Sequence, residues 1–185
     1  MKQVEIDFEY LNMLGSIHSK VYFSTGKLQT YAKCAVAGGA IRDMLLHKPV
    51  NDIDVFYEGE LSDNSLKNFF KTVKSSETNY PDGFNVTHTV SLAGLPVPIQ
   101  LIQVKDIQKH IDTFPTPMSR VWYSIENGLN GVDMDFVGQT TTKQFLWDSK
   151  VDMPYYDKIK AKYSDWKHVF LDMDDNPYFE ETIDF

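Results

Sequence analysis

The strongest constraint on this chain is one short segment, in which an apolar strand meets two glycines and a charged pair, with two aspartates close behind. It reads Ala35-Val36-Ala37-Gly38-Gly39-Ala40-Ile41-Arg42-Asp43-Met44-Leu45-Leu46, then a loop with Pro49, then Asn51-Asp52-Ile53-Asp54-Val55-Phe56. The pattern predicts strand, tight turn, helix and strand in that order. Side chains alternate along a strand, so Asp52 and Asp54 are expected on one side, with Ile53 and Val55 on the other. Carboxylates that close repel and raise each other's pKa unless a cation lies between them. Hard oxygen donors of this kind suit Mg²⁺, which keeps some water and shares its remaining positions with phosphates. Glycine permits positive φ and lets a backbone N–H approach an anion, and a helix opening near Gly39 adds its positive dipole end. A phosphate cradle and a metal clamp within one unit outline a nucleoside-triphosphate site.

Composition bounds what surrounds that unit. With 185 residues, the chain is within the range of one domain and can bury a real core. Hydrophobic residues at 42% and charged residues at 24% fit a globular protein, and 14% aromatic content favours a packed body over disorder. The single cysteine, Cys34, allows no internal disulfide and fits a reducing compartment. No apolar run reaches membrane-spanning length and the first residues lack the apolar core of a signal peptide, so a cytoplasmic location and no membrane partner are expected. Eighteen basic against 26 acidic residues, a net charge of −8, argue against a long nucleic-acid partner. Lys67, Lys71 and Lys74 are expected as a solvated face of one helix.

Helical spacing of Phe8, Leu11, Leu14, Ile17 and Val21 predicts a helix over residues 7–23, with a break at Gly15. Strands are expected over 31–36 and 52–57, flanking a helix over 39–46. Ser62 or Asp63 would cap a helix whose buried stripe is Leu66, Phe69, Phe70 and Val73. A turn follows at 79–83, then strands over 84–91 and 97–104, a short helix at 106–111, and strands over 118–124 and 132–137 around a turn at 126–128. Residues 140–147 are expected to be helical, and Tyr155, Ile159 and Tyr163 mark a further helical stripe. The end, 172–185, is acidic without a basic residue and is expected to fray or lie along the surface. This order suits an α/β or α+β fold with one mixed sheet flanked by helices.

Gly38-Gly39-Ala40-Ile41-Arg42-Asp43, Leu45-Leu46 and Asp52-Ile53-Asp54 resemble the signature of the DNA polymerase β-type nucleotidyltransferases. The pattern is most similar to the head domain of tRNA CCA-adding enzymes and bacterial poly(A) polymerases, and to small phage-encoded nucleotidyltransferases. The resemblance implies a head domain over residues 1–150, with a C-terminal helix and acidic tail over 151–185 packed on it. It implies that Asp52 and Asp54 are catalytic and bind Mg²⁺ (or Mn²⁺). Gly38 and Gly39 would hold the phosphates of an NTP such as ATP, and Arg42 would pair with phosphate or with Asp43. The implied activity is transfer of an NMP to a hydroxyl acceptor: a protein, a small molecule or a short RNA end. The setting would be the host cytoplasm if the chain is phage-encoded.

The chain departs from that pattern in two places. The family's third carboxylate falls at Gln100, which carries no charge and takes no proton at neutral pH. The residues after Asp54 are expected to be needed mostly to finish the head, so no counterpart of the helical domains that select the base and hold tRNA in that family is expected among them. The alternative is therefore a catalytically weakened NTP-binding or partner-binding module of the same fold. A third reading takes Asp52-x-Asp54 as the metal motif of a nucleotide-sugar glycosyltransferase, but only one βα unit precedes Asp52 where several are usual. Arg120 is a candidate for phosphate or base contact and Lys48 for phosphate, while the five histidines show no metal-ligand spacing.

Overall fold

The fold is that of a computed structural model, which describes residues 8–24, 33–79, 85–148 and 151–171. It is mixed α/β, as the alternation of elements predicts. Helix α1 (Phe8–Ser24) runs unbroken through Gly15, burying Leu14, Ile17 and Val21. Strand β1 (Cys34–Ala37), helix α2 (Gly39–Leu45) and strand β2 (Ile53–Tyr57) form the central unit. Then come α3 (Asp63–Phe69), β3 (Thr72–Asn79), β4 (Asn85–Ser91), β5 (Ile99–Gln103) and α4 (Ile107–Asp112). A 3₁₀ turn (Pro117–Ser119) precedes β6 (Trp122–Ser124), β7 (Gly128–Asn130) and α5 (Met134–Thr142). Strands β8 (Gln144–Trp147) and β9 (Lys167–Phe170) enclose α6 (Met153–Lys162).

Seven strands make one sheet in the order β3-β4-β5-β2-β1-β6-β7, in which only β2 and β5 run parallel. Its two faces have different tasks. Ile53, Val55 and Tyr57 of β2, with Ile99 and Leu101 of β5, join α1, α2 and Leu66 of α3 in the main core. Phe56, Ala35, Ala37, Val86 and Ile102 turn the other way and pack with Ile107 and Ile111 of α4. A register shift between Val86 and His88 puts Val86 and Val90 of β4 into different clusters, because one extra residue inverts the alternation. Strands β8 and β9 form a separate parallel pair. Phe145, Trp147, Tyr156 and Tyr163 pack there, with Phe145 centred 5.0 Å from Trp147 and 5.3 Å from Tyr163.

Four expected elements come out differently. The third helix stops at Phe69, and Val73 lies on β3, an edge strand of mostly polar residues whose only apolar side chain leaves no periodicity to read. Phe69 is 38% exposed while Leu66 and Phe70 are buried, and Lys67, Lys71 and Lys74 are exposed along a helix end and a strand instead of one helix face. Residues 132–137 do not form a strand. Asp133 caps α5 there, its Oδ1 accepting from the N–H groups of Asp135 and Phe136 at 3.0 and 2.9 Å. Residues 140–147 are not one helix, because Lys143 takes a left-handed conformation (φ 51°) and ends it, and Phe145 and Trp147 then alternate inward on β8. The segment over 118–124 begins as the 3₁₀ turn set by Pro117 and is strand only from Trp122. The turn expected at 79–83, from residue 80 onward, and the acidic tail lie outside the described residues. Among those described, no helix is long and apolar enough to cross a membrane.

Phe145 is fully buried between the central unit and α6. Replacing it with alanine removes apolar burial and leaves a cavity, so Phe145→Ala is expected to lower unfolding free energy by about 3–5 kcal/mol. Urea denaturation should show a lower midpoint at an unchanged slope.

Candidate active site

Gly38 sits at φ 90°, ψ −150°, a conformation open to glycine, and its N–H donates to the Val121 carbonyl at 3.0 Å. Gly39 opens α2, and a Cβ on it would stand 3.1 Å from Nη2 of Arg42. The first glycine thus makes the turn, and the second leaves room for the guanidinium to fold back against it.

Arg42 is 1% exposed. Its Nε and Nη2 reach Oδ1 of Asp43 at 2.8 and 2.7 Å, its Nη1 donates to Ser119 Oγ at 2.8 Å, and Nε also meets the Tyr163 hydroxyl at 3.2 Å. Burial disfavours the Arg42 charge, and the Asp43 carboxylate together with Tyr155 and Tyr163 outweighs that cost, so the guanidinium titrates above its usual range. Asp43 is also held from α6: the Tyr163 hydroxyl donates to its Oδ1 at 2.6 Å and Lys162 Nζ to its Oδ2. Lys162 donates further to the Pro49 carbonyl at 2.8 Å. Arg42 and Asp43 therefore bond to protein on nearly every side. The pair ties α2 to the 3₁₀ turn, to α6 and to the loop before β2.

Asp52 and Asp54 line the same cavity as Gly38 and Gly39, while Ile53 and Val55 are fully buried on the opposite side. The cavity has a volume of about 830 Å³. Burial, and then the neighbouring Asp52 charge, push the Asp54 carboxyl up to about 7, against a smaller opposing pull from Lys158. Gln100 stands directly opposite Asp54 in the parallel β2–β5 pairing and lines the same cavity. Among the described residues, no three of His, Cys, Asp and Glu converge as a metal-binding group.

Helix α6 lines the cavity with Tyr155, Lys158 and Lys162, and Phe114 lines it as well. The sequence offers no way to choose these lysines among eighteen basic residues, because their place depends on where α6 docks. Arg120, expected at phosphate or base, lies elsewhere: Nε and Nη2 donate to the Phe114 carbonyl at 3.1 and 2.7 Å, and Nη1 and Nη2 form a two-pronged pair with Asp148 at 2.7 and 2.8 Å. Lys48 stands 3.8 Å from Asp165 and over the Tyr163 ring.

The Asp54 shift has a sign that can be checked in metal-free protein. The unfolded carboxyl titrates near 3.8 and the folded one near 7, so folding takes up a proton between these values. Asp54's contribution to stability is present below about pH 4 and is lost as pH rises to about 7. Asp54→Asn lacks this loss and is expected to gain stability relative to the parent between pH 5 and pH 8, measured by urea denaturation at both.

Solved structures with a similar fold include CCA-adding enzymes. One, a CCA-adding enzyme with CTP, aligns at TM-score 0.54 and 17% identity over 77% of this chain and 34% of its own. The Thermotoga maritima CCA-adding enzyme complexed with tRNA aligns at 0.53 and 17%, over 76% of this chain and 33% of its own. The chain thus spans about a third of their length, and the likeness establishes a nucleotidyltransferase-type fold. No curated protein sequence matches the chain. A family model described as Gabija anti-defense 2 family protein matches residues 7–160, from before α1 to within α6. That span takes in the glycine turn, both aspartates and the lysine at 158, and the chain belongs to the Gabija anti-defense 2 family.

Proposed function

We propose that the protein is a Mg²⁺-dependent nucleotidyltransferase that moves an NMP from an NTP to an acceptor hydroxyl and releases pyrophosphate. The observation that carries this reading is the meeting of Asp52, Asp54 and the Gly38–Gly39 turn in one cavity, on a fold shared with enzymes solved with CTP and with tRNA. The donor chemistry fits the ion. Asp52 and Asp54 offer hard carboxylate oxygens whose mutual repulsion a divalent cation relieves, and Gln100 adds a neutral amide oxygen. A bound Mg²⁺ would supply charge neutralisation for the triphosphate and acidify the attacking hydroxyl. The chain's own part is positioning: the glycine turn receives the phosphates, and α6 holds Lys158 across from Asp54 as a cationic wall. In this reading residues 1–150 form the transferase domain, and α6, from the 151–185 segment, closes its cavity.

The acceptor follows from charge and setting. A net charge of −8 suits a small or proteinaceous acceptor better than a long nucleic acid. The family description names Gabija as what its members counter. We therefore take the acceptor from that defence system in the host cytoplasm, as a protein hydroxyl, a small molecule or a short RNA end.

Gln100 beside Asp54 favours a second reading, an NTP-binding module of the same fold with weakened catalysis. Labelled NTPs and Mg²⁺, added to a lysate of Gabija-expressing cells, separate the two. Transfer predicts a labelled acceptor, and labelling that falls about a hundredfold or more in the Asp52→Ala/Asp54→Ala double variant. Equal labelling by the double variant ends the transferase reading, and metal-dependent NTP binding by calorimetry without turnover selects the second.

A further inference from the structure

The cavity is chemically two-ended. Asp52, Asp54 and Lys158 make one end polar and charged, and Phe114, with Phe56 and Ile102, makes the other apolar and largely aromatic. Phe56 and Ile102 are nearly fully buried, so their role is support, whereas the Phe114 ring is only partly covered. Its ring lies 5.8 Å from Phe56 and 5.5 Å from His110, the latter edge to face. Aromatic surface left open inside a polar cavity is what a flat ligand ring covers.

The segment bearing that ring is held in place by bonds that serve nothing else in the site. The Phe114 N–H donates to the Ile111 carbonyl at 3.1 Å, and its own carbonyl accepts two N–H groups of Arg120. Arg120 is gripped in turn by both carboxylate oxygens of Asp148, whose N–H donates to the Pro115 carbonyl at 3.2 Å. An aromatic side chain on so fixed a backbone loses little conformational freedom when a ligand stacks on it. The Gly38 turn runs alongside, where a Cβ would be 3.5 Å from the Phe114 ring, so ring and phosphate cradle lie within the span of one nucleotide.

We propose that Phe114 is the stacking platform for the heteroaromatic base of the donor nucleotide, and that Arg120 and Asp148 are positioning residues that fix it. This rests on the NTP reading above. Stacking alone accepts every base face, so the platform supplies affinity for nucleosides as a class, with little choice between purine and pyrimidine.

The test compares ATP, CTP, adenosine and inorganic tripolyphosphate by calorimetry in Mg²⁺, on the full chain and three variants. Phe114→Leu keeps apolar volume without a ring, Phe114→Trp keeps a ring, and Arg120→Gln loosens the support. The proposal expects Phe114→Leu to weaken ATP and CTP about tenfold or more, with tripolyphosphate unchanged. It expects Phe114→Trp to retain nucleotide affinity and Arg120→Gln to lose part of it, again with tripolyphosphate unchanged. Phe114→Leu binding ATP as the parent does, or losing ATP and tripolyphosphate equally, overturns it. A parent that binds tripolyphosphate as tightly as ATP also overturns it, while leaving the phosphate site standing. A parent that binds adenosine in a Phe114-dependent way but not tripolyphosphate supports the platform and removes the NTP reading.

Discussion

The buried contact between Arg42 and Asp43 is the constraint on which the rest of the site depends. Two charges taken out of water cost several kcal/mol each, and their attraction repays this only when the remaining donors and acceptors are also satisfied. Here they are, by Ser119, Tyr163 and Lys162. Those partners come from two distant parts of the chain, so satisfying one ion pair fixes the 3₁₀ turn and α6 around the helix that follows the glycine turn. The cavity is the space this arrangement leaves between α6, the sheet face and Phe114. An apolar pair of similar size would hold α2 down as well but would not dictate where α6 sits.

The sheet supplies the second constraint. Asp54 and Gln100 are neighbours because β2 and β5 pair in parallel, with Ile53 opposite Ile99. Flanking residues on both strands are fully buried on the far side, so a slip by one residue would drive Asp54 into the core. The polar side chains over the cavity are therefore fixed by the apolar ones beneath them. The residue opposite Asp54 is thus an uncharged amide.

The central unit was legible because its signals are local. Apolar alternation, two glycines and a cap-free helix start within a dozen residues need no tertiary information, and the helix and second strand lie within a residue of expectation, while the first strand, expected from 31, begins at Cys34. Gln100 was singled out by the resemblance, which put the family's third carboxylate there, and the β2–β5 register sets it opposite Asp54. What could not be read was anything decided at long range. Val73 looks like the end of a helical stripe until β4 is present to pair with it. Phe145 and Trp147 fit either period, and only β9 and α6 settle which. Arg120 looks like a free cation in sequence, and Asp148, distant along the chain, takes up its donors together with the nearby Phe114 carbonyl. Asp133 was a local signal that the valines on either side obscured.

The bonds from Tyr163 and Lys162 to Asp43 join residues about 120 positions apart. Contacts of such separation form late, since the intervening chain must already be ordered before they are worth their closure entropy. During synthesis the glycine turn and both aspartates leave the ribosome well before their far wall does. A nascent or prematurely stopped chain would thus carry the acidic pair on an open sheet face, without the wall that α6 provides. Formation of α6 is therefore also the step that walls the cavity.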